Sequence, residues 1–151
     1  SAASRSPDPG PDHVVPFGRA AIRRSGADLT VITWGAVTHK SVEAADKFAR
    51  KTGHEAEVID LRTLAPLDHE TILNSVQKTG RVLIVHEEPR TSGFGGEISA
   101  LISEHCFEWL DAPIKRVASH DAWVAYSPPL EEAMLPQVPE ITKALEDLAD
   151  Y

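Results

Sequence analysis

Residues 81–98 read "RVLIVHEEPRTSGFGGEI". Val82 to Val85 form an unbroken apolar run without the polar alternation of a half-exposed strand, so both faces of that strand are covered. A His-Glu-Glu-Pro-Arg segment follows, then Gly93, Gly95 and Gly96 within four residues. From Ile98 the apolar residues recur at helical spacing through Leu101, Ile102, Cys106 and Trp109. The unit is strand, glycine-eased turn, helix.

The same unit recurs on either side. Upstream, "LTVITWG" (29–35) is a buried strand, followed by a helix marked by Val42, Ala45, Phe48 and Ala49 and closed by Gly53. "AEVIDL" (56–61) is the next strand. "RTLAPLD" (62–68) turns the chain, with Pro66 as breaker and Asp68 as N-cap of a helix carrying Ile72, Leu73 and Val76 and ending at Gly80. Downstream, "PIKRVAS" (113–119) precedes a closing helix with Val138, Ile141, Leu145 and Leu148. "GRAAIRR" (18–24) is a short edge strand. Strands that alternate with helices in this way predict a three-layer α/β/α domain with right-handed crossovers and a mostly parallel sheet. No internal repeat is visible.

At 151 residues and 42% hydrophobic composition, one domain burying roughly 68–70% of its unfolded surface is expected. A net charge of −8 argues against a nucleic-acid partner, which would require a Lys/Arg surplus. No apolar stretch has the ~18–20 residues of a membrane span. From Ser127 to Tyr151 six acids face one lysine, an acidic C-terminal segment that suits a basic partner or simply a solvated face. The lone Cys106 excludes an internal disulfide, falls on a helix's apolar stripe and suits a reducing compartment such as the cytoplasm. "SAASRSPDPGPDH" opens the chain with three prolines in five positions, which reads as an interdomain linker over residues 1–14 ahead of a domain at 15–151, excised from something longer.

Ligands of such sheets gather beyond the carboxyl ends of the strands, where the glycine turn lies. Its spacing is not a dinucleotide fingerprint, and no Gly-Lys-Ser/Thr follows, so a P-loop is excluded. Free amides at the helix start, with Arg90, leave an anion site open; the alternative is a turn packed closely on its surroundings. His86 and Glu87 are adjacent on a strand and therefore point to opposite faces, which disfavours a base–orienter pair. His120-Asp121 lacks a nucleophile with a recognisable setting. The seven histidines show no metal-binding spacing. The residues alone supply no catalytic, cofactor or metal set.

Three stretches go further. Residues 58–98, "LDAPIKRV" (110–117) and "SPPLEEAMLP" (127–136) resemble the C-terminal domain of the transketolase family. More narrowly, they resemble the beta subunit of the thiamine-diphosphate-dependent decarboxylating component of 2-oxo acid dehydrogenase complexes, of pyruvate or branched-chain type. The resemblance runs from about Val15 to Tyr151. It implies a sheet of about five strands with one antiparallel edge, for which "GRAAIRR" is the candidate. It also implies that thiamine diphosphate and Mg sit in upstream domains or an alpha subunit, so that this domain is non-catalytic. Its expected work is homodimer assembly and docking of the subunit-binding domain of the dihydrolipoyl acyltransferase. By the resemblance, Asp111 and Tyr151 bind that partner. Relatives read "HEAPRTGGFGAEI" at the glycine turn, so His86, Glu87, Arg90, Gly93, Phe94, Gly95 and Gly96 are expected to shape a subunit or interdomain contact. Many relatives read "DTPVP" where this chain has "DAWVA" (121–125), which removes two prolines and brings in Trp123. The competing reading is a regulatory anion- or nucleotide-binding module at Gly93–Gly96. A third, a hydrolase using His120 and Asp121, requires a nucleophile the sequence does not supply.

Overall fold

The computed structural model describes residues 18–89, 93–119 and 135–151. Five strands form one mixed sheet: β1 (Ala21–Arg24), β2 (Leu29–Thr33), β3 (Ala56–Asp60), β4 (Val82–Pro89) and β5 (Lys115–Ser119), in the order β1-β3-β2-β4-β5. β1 runs antiparallel to β3, and the other pairings are parallel. The helices among the described residues are α1 (Thr38–Thr52), α2 (His69–Thr79), α3 (Gly95–Cys106) and α4 (Val138–Asp150). This is the expected three-layer α/β/α domain with its antiparallel edge.

The unbroken apolar runs have the cause that the sequence suggested. All five residues of β2 and of β3 are buried, and alternate side chains serve opposite cores. Leu29, Val31, Leu83 and Val85 face α1 and α4, where Phe48, Ile141 and Leu145 are fully enclosed. Ile32, Val82 and Ile84 face α2 and α3, against Ile72, Val76, Ile98 and Ile102. Burying each such side chain is worth about 1.5–3 kcal/mol. Cys106 belongs to the second core, as a small hydrophobe.

Helix ends follow the punctuation. Gly53 and Gly80 close α1 and α2 in the left-handed conformation, at φ 80° and 70°. The Asp68 carboxylate caps α2 by accepting the Thr71 amide at 3.1 Å, and also takes the Ala20 amide at 2.9 Å, which ties the start of the chain to the helix. One expectation fails at α3. The helix stops at Cys106, where φ reaches −130°, and a 3-10 turn over Phe107–Trp109 carries on, leaving Trp109 about half exposed rather than in the core. The chain must turn there, because the Asp111 amide donates to the Gly80 carbonyl at 2.8 Å. Strand ends shift by a few residues: β2 stops at Thr33, since Gly35 takes φ 74°, while β4 runs on to Pro89.

A polar ladder crosses the α2 face. The Thr30 hydroxyl bonds those of Ser75 and Thr79, each at 2.7 Å. Ser75 donates to Glu57 Oε2 and Lys78 Nζ to Glu57 Oε1, both at 2.7 Å. Glu57 is buried while Lys78 reaches solvent. Burial pushes the Glu57 carboxyl up, but the hydrogen bonds from Lys78 and Ser75 and the Lys78 charge carry it below its ordinary value. A carboxyl lowered in the folded state stabilises fully above its unfolded pKa and loses that contribution as pH falls through the folded value. Lys78→Met should therefore destabilise the domain by about 1–3 kcal/mol at pH 7 and flatten the acid limb of its stability curve. Urea unfolding from pH 7 to pH 3 measures both, and an unaltered curve would contradict the ladder's role.

Candidate functional site

Two places at the α3 side of the sheet hold the residues singled out above. At the first, alternation along β4 decides the contacts. Glu87 points away from His86 and accepts the Ala36 amide at 2.7 Å, in the space where a Gly35 Cβ would sit 2.5 Å from its oxygen. Glu88, two residues on, comes back to the His86 side: Oε1 accepts the Trp34 indole N–H at 3.2 Å, and Oε2 is 3.4 Å from His86 Nδ1. Trp34 stacks on the imidazole at 5.3 Å with planes 8° apart and meets Phe94 edge-on at 6.4 Å.

The glycine turn presses on the other side of that ring. A Cβ on Gly93 would stand 2.5 Å from His86 Cε1, and one on Gly95 would stand 2.5 Å from Nε2. The space a phosphate cradle needs above these two glycines is filled by imidazole. His86 is completely enclosed, and neither ring nitrogen has a hydrogen-bond partner among the described residues. Burial pushes its pKa down and the Arg116 charge adds to that, while Glu88 opposes it. His86 is thus a neutral packing surface, and among the described residues of this turn Gly93, Phe94 and Gly96 reach solvent while Gly95 is buried. Arg90, His120, Asp121 and Trp123 lie outside the described residues. No cluster of three His, Cys, Asp or Glu side chains suited to a metal occurs among the described residues.

At the second place the structure brings Asp111 and Tyr151 into one groove of about 710 Å³, between the outer face of α3, the 3-10 turn and the end of α4. Ser99 and Ser103 line it from α3, and Phe107 and Glu108 from the turn. Arg81 holds the two ends together: Nε donates to the Leu148 carbonyl in the last turn of α4 at 3.0 Å, and Nη1 is 3.7 Å from Asp111 Oδ2. A Cβ on Gly80 would stand 2.5 Å from the same Asp111 oxygen, so that glycine also makes room for the carboxylate. Phe107 and Tyr151, both on this groove, are 75% and 72% exposed. The sequence pattern passes over Phe107 in favour of Trp109, and gives Glu88, Trp34 and Arg116 no role. The two-residue period of "HEE" was the available signal for Glu88.

Comparison with known proteins follows from this geometry. Residues 18–141 match the model of the family described as "Transketolase, C-terminal domain". The chain is 41% identical over 144 residues to the 2-oxoisovalerate dehydrogenase subunit beta of Bacillus subtilis (strain 168), covering 95% of this chain and 44% of that protein. It is 43% identical over 133 residues to the mitochondrial pyruvate dehydrogenase E1 component subunit beta of Dictyostelium discoideum, covering 88% of this chain and 37% of that protein. Among solved structures, a split gene transketolase described as an inactive beta4 tetramer superimposes with a TM-score of 0.79 at 25% identity, covering 93% of this chain and 45% of that one. The chain thus spans less than half the length of these relatives.

Two measurements test the first place. Gly95→Ala should cost about 1–3 kcal/mol through its clash with the His86 ring, whereas Gly96→Ala, whose Cβ would clear Arg116 by 3.4 Å, should be neutral or stabilising by up to ~1 kcal/mol. Equal effects in urea unfolding would refute the contact. For His86, the unfolded imidazole takes a proton near 6.5 while the folded one resists, so the unfolded chain gains protons first and stability falls as pH drops below that value. From pH 7.5 to 5.5, wild type should lose about 1 kcal/mol more than His86→Gln; parallel losses would show that His86 does not govern acid sensitivity.

Proposed function

The chain belongs to the transketolase C-terminal domain family, and from that premise we propose that it is the non-catalytic assembly domain of a 2-oxo acid dehydrogenase, in the beta subunit of its decarboxylating component. The parent enzyme decarboxylates a 2-oxo acid on thiamine diphosphate with Mg, and reductively acylates a lipoyl group. Both cofactors are held outside this chain, by preceding domains or an alpha subunit. The work of this domain is subunit dimerisation and docking of the dihydrolipoyl acyltransferase through its subunit-binding domain.

Two relatives whose printed names are 2-oxoisovalerate and pyruvate dehydrogenase beta subunits support the parent reaction. The observation that carries the docking role is the groove that gathers Asp111, Glu108, Phe107 and Tyr151 at one edge. An exposed aromatic beside carboxylates suits an interface anchor for a basic partner. Charge complementarity there would act mainly on the rate of encounter. The competing reading, an anion- or nucleotide-binding module at Gly93–Gly96, loses support because the His86 ring fills the hollow above Gly93 and Gly95.

Calorimetric titration with the isolated subunit-binding domain of the cognate acyltransferase, at low and high salt, tests the reading. Binding is expected to weaken with salt and to fall by about tenfold in Asp111→Ala and on deletion of Tyr151. Absence of binding at either salt would remove the docking role and leave subunit assembly alone.

A further inference from the structure

Arg81 lies at the junction of α2 and β4, one residue past the glycine that ends the helix. Its backbone is firmly held: the Arg81 carbonyl accepts the Thr30 amide at 2.8 Å and the Thr79 hydroxyl at 3.3 Å. Thr79 is itself tied to Thr30 through their hydroxyls, at the end of the polar ladder. The Arg81 side chain is 29% exposed and is not among the residues that line the groove of Asp111 and Tyr151. Any influence it has on a partner in that groove passes through its neighbours.

Those neighbours support both residues to which docking is assigned. The Leu148 carbonyl accepts from Arg81 Nε at 3.0 Å and from the Tyr151 amide at 3.4 Å, so the turn that ends in Tyr151 is anchored on an oxygen the guanidinium also grips. At the other end of the same fork, Nη1 stands 3.7 Å from Asp111 Oδ2, too far for a hydrogen bond but close enough for the opposite charge to bias where the carboxylate points. The last carbonyls of a helix have no partners within it, and a chain end is poorly ordered unless tied down. Side chains ordered only on binding lower the affinity by the entropy they lose, and a rigid fork that orders them beforehand avoids that loss.

We propose that Arg81 is the positioning residue of the docking face: it sets Asp111 and Tyr151 in place for the acyltransferase's subunit-binding domain without touching that domain. The inference rests on the docking reading above and deepens it. The sign of its effect separates positioning from charge. Arg81 is a cation beside a carboxylate that faces a basic partner, so if charge alone mattered, its removal would make the groove more acidic and tighten binding. Positioning predicts the reverse, a weaker complex that forms as fast and falls apart sooner.

The test is surface plasmon resonance of the full chain over that immobilised subunit-binding domain, comparing wild type, Arg81→Gln, Arg81→Lys and Asp111→Ala. Arg81→Gln should bind about fivefold more weakly through faster dissociation, at an association rate equal to or above that of wild type. Arg81→Lys keeps the charge but loses the fork; a loss of about twofold to threefold is expected, and this variant carries the test should Arg81→Gln fail to fold. In chains lacking Tyr151, the loss caused by Arg81→Gln should shrink to about twofold, because one of its two targets is gone. A loss that persists undiminished there, or unchanged or tighter binding by the Arg81 variants with Asp111→Ala still weakened, overturns the positioning role and leaves the docking reading in place. If wild type does not bind, both fall.

Discussion

A bare turn against an imidazole sets the geometry of the edge that carries Asp111 and Tyr151. His86 ends the buried part of β4, is stacked on Trp34, and receives Gly93 and Gly95 at distances that leave no room for a side chain. Because the turn lies this close, α3 begins directly beside the sheet, and its buried face meets α2 through Ile98, Ile102 and Cys106. The start of a helix fixes the azimuth of every residue along it. Ser99, Ser103 and then Phe107 consequently fall on the outer side, where they line the groove shared with Asp111 and Tyr151.

The second constraint is Arg81. It sits between β4 and the last turn of α4, where a cation offsets the partial negative charge of the helix end, and its guanidinium also approaches Asp111. The Asp111 amide is fixed to the Gly80 carbonyl. Segments separated by 67 residues thus converge on one strand–helix junction. Asp111 and Tyr151 are neighbours across this groove because of that convergence.

Much of this fold could be read from the chain because its signals are local. Continuous apolar runs ending in glycine or proline identify strands buried on both sides, and Gly53, Asp68 and Gly80 end or begin helices through their own backbone and side-chain chemistry. The end of α3 was not legible, since the spacing that places Trp109 on the apolar stripe continues smoothly past the point where the tie from Asp111 to Gly80 forces the turn. Asp111 and Tyr151 could be named from resemblance, but Phe107 could not. Exposure of an aromatic depends on residues distant in sequence. Glu88 is intermediate: strand alternation points it back toward His86, but only the structure shows the indole that its carboxylate holds.

The antiparallel strand β1 carries a consequence for solution behaviour. As an edge it presents unpaired backbone groups and a half-exposed Ile22, the combination that templates runaway strand addition between chains. Here the edge is only four residues long, its register shifts between Ile22 and Arg24, and it is flanked by charge. Arg23 is paired with Asp60, and Arg24 with Asp46 and Glu55. An approaching strand would have to break these ion pairs and straighten an irregular backbone for very few new hydrogen bonds. The short, irregular and charged edge thereby disfavours strand addition to this side of the sheet.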